Sequence, residues 1–280
     1  MKKITRRSFL AAAGLTAAAL ALTACGGSSS STASSVASSA AASSEAASSS
    51  AAAAEVTTVE AGKLTMATNA AFPPYEMTTD AGESEGIDVE TAQAIAEKLG
   101  LELQIDDMDF DAALLSVQQG KADIVMAGVT VTDERKAVMD FSDSYATGIQ
   151  SIIVPEGSDI ASPDDLAGKK IGTQRGTTGY IYCSDDFGDD NVVAYDNGLT
   201  AVQALTNGQV DAVVIDNAPA KEFVAANPGL VILETSYAEE DYAIGLAKGS
   251  ALEDAVNAAL EELKADGTLQ SIVDKYITAE

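Results

Sequence analysis

Gly120-Lys121-Ala122-Asp123-Ile124-Val125 returns later in the chain as Gly208-Gln209-Val210-Asp211-Ala212-Val213. In both copies a helical pattern stops at a glycine, and an aspartate then opens a buried apolar strand. From residue 61 onward, apolar β-type runs alternate with helical periodicity, which is typical of an α/β fold. A match this short also arises by chance, so the repeat supports two similar lobes without proving them. We interpret Asp123 and Asp211 as residues that bind backbone donors at the turn, with a functional role as the alternative.

The alternation predicts how the lobes are divided along the chain. Lobe 1 is expected over 61–146, lobe 2 over 147–236, and a return to lobe 1 over 237–280. Thr147–Pro155 is an extended apolar segment that could cross to lobe 2, and Tyr237–Leu246 could lead back. Two crossings form a hinge beside a cleft, and hinged lobes around a cleft trap ligands.

The individual elements follow from periodicity and from start and stop signals. Strands are predicted at Lys63–Thr68, Leu101–Ile105, Asp123–Met126, Lys170–Thr173, Asn191–Tyr195, Ala212–Ile215 and Leu230–Leu233. Helices are predicted from an Asp88 cap to a Gly100 stop, from Phe110 to Gly120, after Gly176, over 199–207 and after Asp216. Two amphipathic helices close the chain, with apolar positions at Val256, Ala259, Leu260 and Leu263, then at Leu269, Ile272, Val273 and Tyr276.

The N-terminal 24 residues read as a lipoprotein signal peptide. Residues 2–7 are basic, and Leu10–Leu22 is apolar but shorter than the ~20 residues that span a bilayer. Small residues then precede Cys25, so we expect cleavage before Cys25 and acylation of its thiol, with palmitate among the lipids. The alternative is an uncleaved anchor helix with an incidental cysteine. Thr5-Arg6-Arg7-Ser8-Phe9-Leu10 also resembles a twin-arginine signal, with an ordinary secretory leader as the alternative.

Composition excludes several classes of function. Residues 25–60 are mostly Ser and Ala, which predicts a flexible, lipid-anchored tether. A formal net charge of −27 disfavours nucleic acid and anionic lipid, so we expect a monomer that meets the membrane only through its anchor. The chain has no histidine, and Cys183 is its only cysteine besides Cys25, so we expect no cofactor, metal site or intrachain disulfide, and Cys183 packed as a small apolar residue.

A family resemblance rests on four segments and one continuation. They are Ala67–Glu76, Glu85–Asp88, Met108–Asp111 and Ala127–Arg135, with Asp140–Tyr145 extending the last. Through these motifs residues 63–280 resemble an extracytoplasmic solute-binding protein of the polar amino-acid type, the receptor component of an ABC importer. The resemblance implies a two-lobed periplasmic-binding-protein fold of type II, with the ligand in the cleft. It also implies an amino-acid ligand, an ABC permease as partner, attachment to the cell membrane and no enzymatic activity.

The resemblance assigns the α-groups of the ligand to particular residues. Arg135 would bind the carboxylate by two parallel hydrogen bonds. The residues alone favour a solvated arginine in the first turn of a helix capped by Thr132. Thr130 would add its amide to the carboxylate and its hydroxyl to the ammonium, and Gly128 would offer its carbonyl to the ammonium, with a plain turn glycine as the alternative. Asp216 would take the ammonium, or it would act as a helix N-cap.

Four further positions would complete the site. Thr178 opens a helix whose free amides suit a carboxylate, although a glycine turn with a threonine cap explains the same pattern. Phe72 and Phe110 would enclose the ligand side chain, with core packing as the alternative for Phe110. Asn69 stands where many relatives carry an aspartate, which indicates a neutral, polar ligand rather than a cationic one.

Other details of the sequence bear on specificity and on rival functions. Ile215 is expected to make part of the pocket more apolar, and Arg175 is expected to point to solvent. An extracytoplasmic enzyme similar to cyclohexadienyl dehydratases is the main alternative. It would need a general acid, for which Glu76 and Asp111 are candidates. A ligand sensor for a membrane receptor is a further alternative.

Overall fold

The computed structural model describes residues 56–277, so the leader, Cys25 and most of the predicted tether lie outside the described residues. The amide of Val59 donates to a carboxylate oxygen of Asp123 at 2.8 Å, so tertiary contacts begin before residue 61. Within 56–277, every helix is too short or too polar to cross a membrane.

The first part of the chain forms a sheet with covering helices. Its elements are β1 (Lys63–Thr68), β2 (Ala71–Phe72), β3 (Glu76–Thr78), β4 (Ser84–Glu85), α1 (Ile87–Leu99), β5 (Glu102–Asp107), α2 (Phe110–Gln118), β6 (Ile124–Val125), α3 (Asp133–Lys136) and β7 (Met139–Phe141). The predicted bounds of β1 are confirmed. Gly100 ends α1 in a left-handed conformation, as predicted, but Gly86 rather than Asp88 is the N-cap. The prediction of an Asp88 cap is therefore wrong.

The middle of the chain forms a second α/β unit. Its elements are β8 (Ala146–Pro155), β9 (Ile171–Gln174), α4 (Thr178–Phe187), β10 (Val192–Tyr195), α5 (Gly198–Thr206), β11 (Ala212–Asp216), α6 (Asn217–Ala226) and β12 (Leu230–Ile232), with short 3-10 turns at Pro163–Leu166 and Asp189–Asn191. The last part adds β13 (Ala238–Tyr242), β14 (Gly245–Ala247), α7 (Glu253–Ala265) and α8 (Thr268–Tyr276).

Two large sheets define the two-lobed α/β fold that the sequence predicts. The first has the order β5-β1-β6-β14-β7. In it β1 runs parallel to β5 and β6, and β14 runs antiparallel to β6 and β7. The second has the order β10-β9-β11-β8-β12, and β13 pairs with β8 as well. A small antiparallel sheet, β2-β3-β4, lies outside both.

The strands that connect the two large sheets are themselves hydrogen-bonded. β8 and β13 run antiparallel, from the pair Ala146 and Tyr242 to the pair Gln150 and Ala238. β8 leads from the first sheet into the second, and β13 leads back to β14 of the first. These strands coincide with the segments predicted to cross between lobes.

The repeated aspartates have the structural role that we favoured. Asp123 accepts hydrogen bonds from the amides of Val59 and Thr65, both at 2.8 Å. Asp211 accepts from the amide of Lys170 at 2.7 Å. Each carboxylate thus ties the start of its strand to a neighbouring segment, which confirms their interpretation as turn-binding residues.

Other packing predictions are confirmed as well. Cys183 is fully buried, in the core that covers one face of the second sheet. The four apolar positions of α7 are buried, and Leu269 and Ile272 of α8 are buried too. Both helices pack against α1, which ties the C-terminal segment to the first lobe.

Candidate functional site

A cavity lies where segments of both large sheets meet. β1, β9 and β11 end beside it, and ligand sites of open α/β sheets gather at such strand ends. Its lining residues are Asn69, Phe72, Glu76, Phe110, Ala127, Gly128, Thr130, Arg135, Gln174, Thr177, Thr178 and Asp216. The structure thus brings together all eight residues predicted to bind a ligand.

Arg135 is buried in this cavity, with 8% of its surface exposed. The Thr132 hydroxyl accepts a hydrogen bond from the backbone amide of Arg135 at 3.2 Å, so Thr132 caps the short helix α3 as predicted. The guanidinium donates to the carbonyl of Thr130 at 2.7 Å and to that of Gly176 at 3.2 Å. Burial lowers the pKa of Arg135, yet a guanidinium stays charged in proteins. The solvated alternative for Arg135 is therefore wrong.

Aromatic side chains form the walls of the cavity. The guanidinium carbon of Arg135 lies 5.4 Å from the ring centroid of Phe110. Phe72 stacks on Tyr75 with 5.8 Å between centroids. A Cβ at Gly128 would lie 2.8 Å from the Phe72 ring, so glycine there permits the wall to approach the backbone. Phe110 combines both roles considered for it, since it starts α2 within an apolar cluster and also lines the cavity.

A pair of neutral amides closes one end of the cavity. Gln174 Nε2 donates to Asn69 Oδ1 at 2.9 Å, which joins the end of β9 to the residue after β1. Asn69 Nδ2 donates to the carbonyl of Met108 at 2.9 Å. The sequence reasoning missed Gln174 as a site residue, although its place at the end of a strand is the signal that also pointed to Asp216.

Asp216 lies at the end of β11 and is only 8% exposed. Its carboxylate accepts from the amide of Gln150 at 2.8 Å and from the hydroxyl of Tyr242. Burial raises the pKa of Asp216 to about 7, and the nearby charge of Glu240 adds to the increase. Asp216 occupies the N-cap position of α6, but its side chain makes no capping bond. The capping alternative is therefore wrong.

Two threonines of the cavity share one buried carboxylate that sequence reasoning missed. Glu240 Oε2 accepts from the hydroxyl of Thr178 at 2.9 Å, from that of Thr130 at 3.1 Å and from Gln150 Nε2 at 3.0 Å. The cap of α4 is Thr177, so Thr178 is free for this contact. Glu240 stands in an acidic run. It lies two residues before the buried Tyr242 on β13, so strand periodicity places both on the same face and could have predicted that Glu240 is buried.

Two further carboxyl groups are buried beside the cavity. Glu76 lines it and is fully buried, and its carboxyl group shares a hydrogen bond with that of Asp88. Burial raises the pKa of Glu76 well above its usual range, and Asp88 adds to this. Asp88 accepts from the amide of Gly128 at 2.9 Å and the hydroxyl of Tyr145 at 2.8 Å. Burial raises the pKa of Asp88 to about 6.

Three other residues considered from sequence do not line this cavity. Arg175 has a side chain 54% exposed, as predicted, and lies 3.9 Å from Asp196. Asp111 is exposed. The expectation for Ile215 is wrong, because its side chain packs at Gly198 in the core of the second lobe. Alternation along β11 turns Ile215 away from the side that Asp216 faces.

Comparison with known proteins agrees with this geometry. Residues 64–279 match the family model described as bacterial extracellular solute-binding proteins, family 3. A probable histidine-binding protein of Neisseria gonorrhoeae is 35% identical over 222 residues, covering 77% of this chain and 83% of the relative. The L-cystine-binding protein TcyJ of Escherichia coli (strain K12) is 34% identical over 226 residues, covering 79% and 85%.

A solved structure is similar over the same region. An ancestral arginine-binding protein bound to glutamine is 42% identical, with a TM-score of 0.75, covering 79% of this chain and 100% of that one. The family model and the similar structure therefore both support the fold described above. The chain belongs to family 3 of the bacterial extracellular solute-binding proteins.

Proposed function

We propose that this protein captures an α-amino acid outside the cytoplasm and delivers it to an ABC importer. The observation that carries the proposal is the pairing of Arg135 with Asp216 in one cavity. Both are more than nine-tenths buried, and they offer a cation for a carboxylate and an acid for an ammonium group. An α-amino acid is the simple solute that presents both groups on one carbon. The names of the relatives in the family support the same class of ligand.

The α-carboxylate is proposed to meet Arg135. Its guanidinium already donates to the carbonyls of Thr130 and Gly176, which fix its plane within the cavity. A preoriented guanidinium loses little side-chain entropy when it binds a carboxylate. The amides of Thr130 and of Thr178, the first residue of α4, are proposed to donate to the same group.

The α-ammonium is proposed to meet Asp216, the carbonyl of Gly128 and the hydroxyl of Thr130. Near pH 7, a pKa of about 7 leaves Asp216 partly protonated. A bound ammonium favours the ionised form, so binding is coupled to proton release from this carboxyl group. This coupling is measurable as a dependence of the binding enthalpy on the ionisation enthalpy of the buffer.

The ligand side chain is proposed to be neutral and polar. It would extend between Phe72 and Phe110 toward the amide pair of Asn69 and Gln174, which carries no charge. Burial raises the pKa of Glu76 well above its usual range and so favours the neutral carboxyl group, and this lining residue is proposed to add no charge. Similar ancestral arginine-binding proteins have been solved with glutamine and with arginine, so sites of this fold accept a neutral amide side chain as well as a cationic one.

Attachment to the cell membrane is proposed to depend on Cys25. Cleavage before Cys25 and acylation of its thiol would leave the Ser/Ala-rich segment 25–60 between the membrane and the cavity-bearing part. The protein would then stay close to its permease. Metabolic labelling with palmitate tests this, and a Cys25→Ala variant that still takes up label would contradict it.

Thermal unfolding against a panel of ligands tests amino-acid capture. The panel holds the twenty amino acids, cystine and ornithine, added to protein freed of ligand by unfolding and refolding. Saturation at a hundredfold over Kd adds about 2.7 kcal/mol to the free energy of unfolding. We expect a large shift with one or a few neutral amino acids. A panel without any shift would refute the proposed function.

A matched pair of variants tests the carboxylate site. Arg135→Ala removes the buried guanidinium, and Arg175→Ala removes an exposed one from the same chain. We expect Arg135→Ala to abolish the ligand-induced shift while Arg175→Ala retains it. Equal shifts in both variants would exclude Arg135 as the carboxylate-binding residue.

A further inference from the structure

Glu240 is buried behind the cavity without lining it. It belongs to β13, one of the two strands that connect the lobes, and is 6% exposed. One of its oxygens accepts three hydrogen bonds, from Thr130 at 3.1 Å, from Thr178 at 2.9 Å and from Gln150 at 3.0 Å. Both threonines line the cavity, so a single carboxylate oxygen contacts ligand-facing groups from both sides of it.

These contacts fix the direction of two hydroxyl protons. A hydroxyl group has one proton and two acceptor lone pairs, whereas an ionised carboxylate can only accept. The oxygens of Thr130 and Thr178 are 3.5 Å apart, farther from each other than either is from Glu240. Each hydroxyl therefore donates its proton to Glu240 and presents lone pairs to the cavity.

We propose that Glu240 is a positioning residue that makes the hydroxyls of Thr130 and Thr178 act only as acceptors, and so selects ligands with an α-ammonium over those with an α-hydroxyl. This inference rests on the proposed function, because it concerns how the same cavity recognises an α-amino acid. An ammonium group brings three donors and a positive charge to the acceptors, while a hydroxyl group brings one donor and no charge.

Gln150 extends the same arrangement to the proposed ammonium partner. Its Nε2 donates to both Glu240 and Asp216, at 3.0 and 2.8 Å. The carboxyl groups of Asp216 and Glu240 therefore share one hydrogen-bond donor and lie close to each other. Of the two, Asp216 lines the cavity and is the one proposed to meet the ammonium directly.

Two variants of Glu240 separate hydroxyl orientation from charge. Glu240→Met removes every acceptor at similar length, so both threonine hydroxyls are free to rotate. Glu240→Gln removes the charge but keeps an amide oxygen, which is expected to take the accepting position because three donors point to it. Glu239→Gln is the matched control, since Glu239 is an exposed acid on the same strand.

The readout is a ratio of dissociation constants measured by calorimetry on the whole chain. The probes are the amino acid that stabilises the wild type most among the twenty, and the α-hydroxy acid with the same side chain. We expect Glu240→Met to lower the preference for the amino acid at least tenfold. Glu240→Gln and Glu239→Gln are expected to stay within about threefold of the wild type.

Three outcomes overturn the inference. If Glu240→Met weakens both probes by the same factor, Glu240 has only a structural role. If Glu240→Gln loses as much preference as Glu240→Met, charge rather than hydroxyl orientation is responsible. Should Glu240→Met fail to fold, Thr178→Val takes its place, and an unchanged preference in that variant also overturns the inference.

A separate measurement distinguishes this inference from the proposed function. A wild type that binds none of the amino acids refutes the proposed function and the selectivity inference with it, whereas amino-acid binding with an unchanged preference in Glu240→Met refutes the inference alone. Urea unfolding of the ligand-free protein tests the hydrogen bond on which the inference depends, through a double-mutant cycle of Glu240→Met and Thr178→Val. Non-additive effects on the free energy of unfolding support the hydrogen bond, and additive effects overturn the inference.

Discussion

Asp216→Asn is expected to stabilise the protein at alkaline pH while it weakens ligand binding. The buried carboxyl of Asp216 has a pKa of about 7, against an ordinary value of 3.8. A difference of about three pH units corresponds to about 4 kcal/mol, at 1.36 kcal/mol per unit. The folded state thus holds this proton more tightly than the unfolded state does. Stability is lost as pH rises from about 4 to about 7, and the whole cost of ionisation applies above that range.

An asparagine at this position cannot ionise, so the variant does not bear the cost of a buried negative charge. It disturbs one of the hydrogen bonds from Gln150 and Tyr242, which we take as about 1 kcal/mol. Asp216→Asn is therefore expected to raise the free energy of unfolding by about 2–3 kcal/mol at pH 8.5. At pH 3, below the ordinary pKa of 3.8, the carboxyl group is largely protonated in both the folded and the unfolded state, so the same variant is expected to be about 1 kcal/mol less stable than the wild type.

Asp216→Asn is expected to weaken amino-acid binding, although it stabilises the folded protein at alkaline pH. Loss of one partner of a desolvated charge pair costs roughly 2–5 kcal/mol, so the affinity for an amino acid falls at least thirtyfold. Urea unfolding at both pH values and calorimetry with the best amino acid measure the two effects. Asp185→Asn, which removes an exposed acid, is the control. Destabilisation of Asp216→Asn at pH 8.5, or an affinity within threefold of the wild type, would refute the reasoning.

Three further variants address the side-chain end of the cavity, the hinge and the buried acid. Asn69→Asp places a charge beside Gln174 and is expected to shift preference from glutamine toward arginine in competition calorimetry; an unchanged ratio would contradict the neutral-ligand proposal. Gly148→Ala puts a Cβ 2.5 Å from the Tyr242 hydroxyl and is expected to lower the free energy of unfolding by about 1–3 kcal/mol, measured in urea. Wild-type stability in this variant would show that the Tyr242 ring can move. Glu76→Gln is expected to raise stability at pH 8.5 but not at pH 4.5, because burial raises the pKa of this carboxyl group; equal effects at both pH values would argue against a protonated Glu76.

Local sequence patterns were sufficient for most of the fold. The apolar runs predicted β1, β5, β6 and β8 to β12 within one or two residues, since each is bounded by glycine or polar turn residues. β7 was not predicted, and β13 and β14 were predicted only as one segment that returns to the first lobe. The short strands β2, β3 and β4 were not predicted, because two or three residues carry no measurable alternation. Asp88 was assigned to a helix cap since nothing local shows that its carboxylate contacts Gly128 and Tyr145, far along the chain.

The candidate site was predictable where a motif or a strand end marked a residue. All eight predicted binding residues line the cavity, although their role in binding is still a prediction. Glu240 was missed because its partners Thr130 and Thr178 come from segments joined only in the folded chain. Likewise, burial of Glu76 depends on a tertiary environment that a local pattern does not encode.

The position of β14 has a consequence for synthesis of the chain. β14 lies between β6 and β7, so β7 joins the first sheet only through a strand encoded near the C-terminus. A nascent or truncated chain that ends before Gly245 leaves the facing edges of β6 and β7 unpaired, and such edges invite aggregation and chaperone capture. The first sheet is therefore completed only after Gly245–Ala247 has been synthesised, later than every strand of the second sheet.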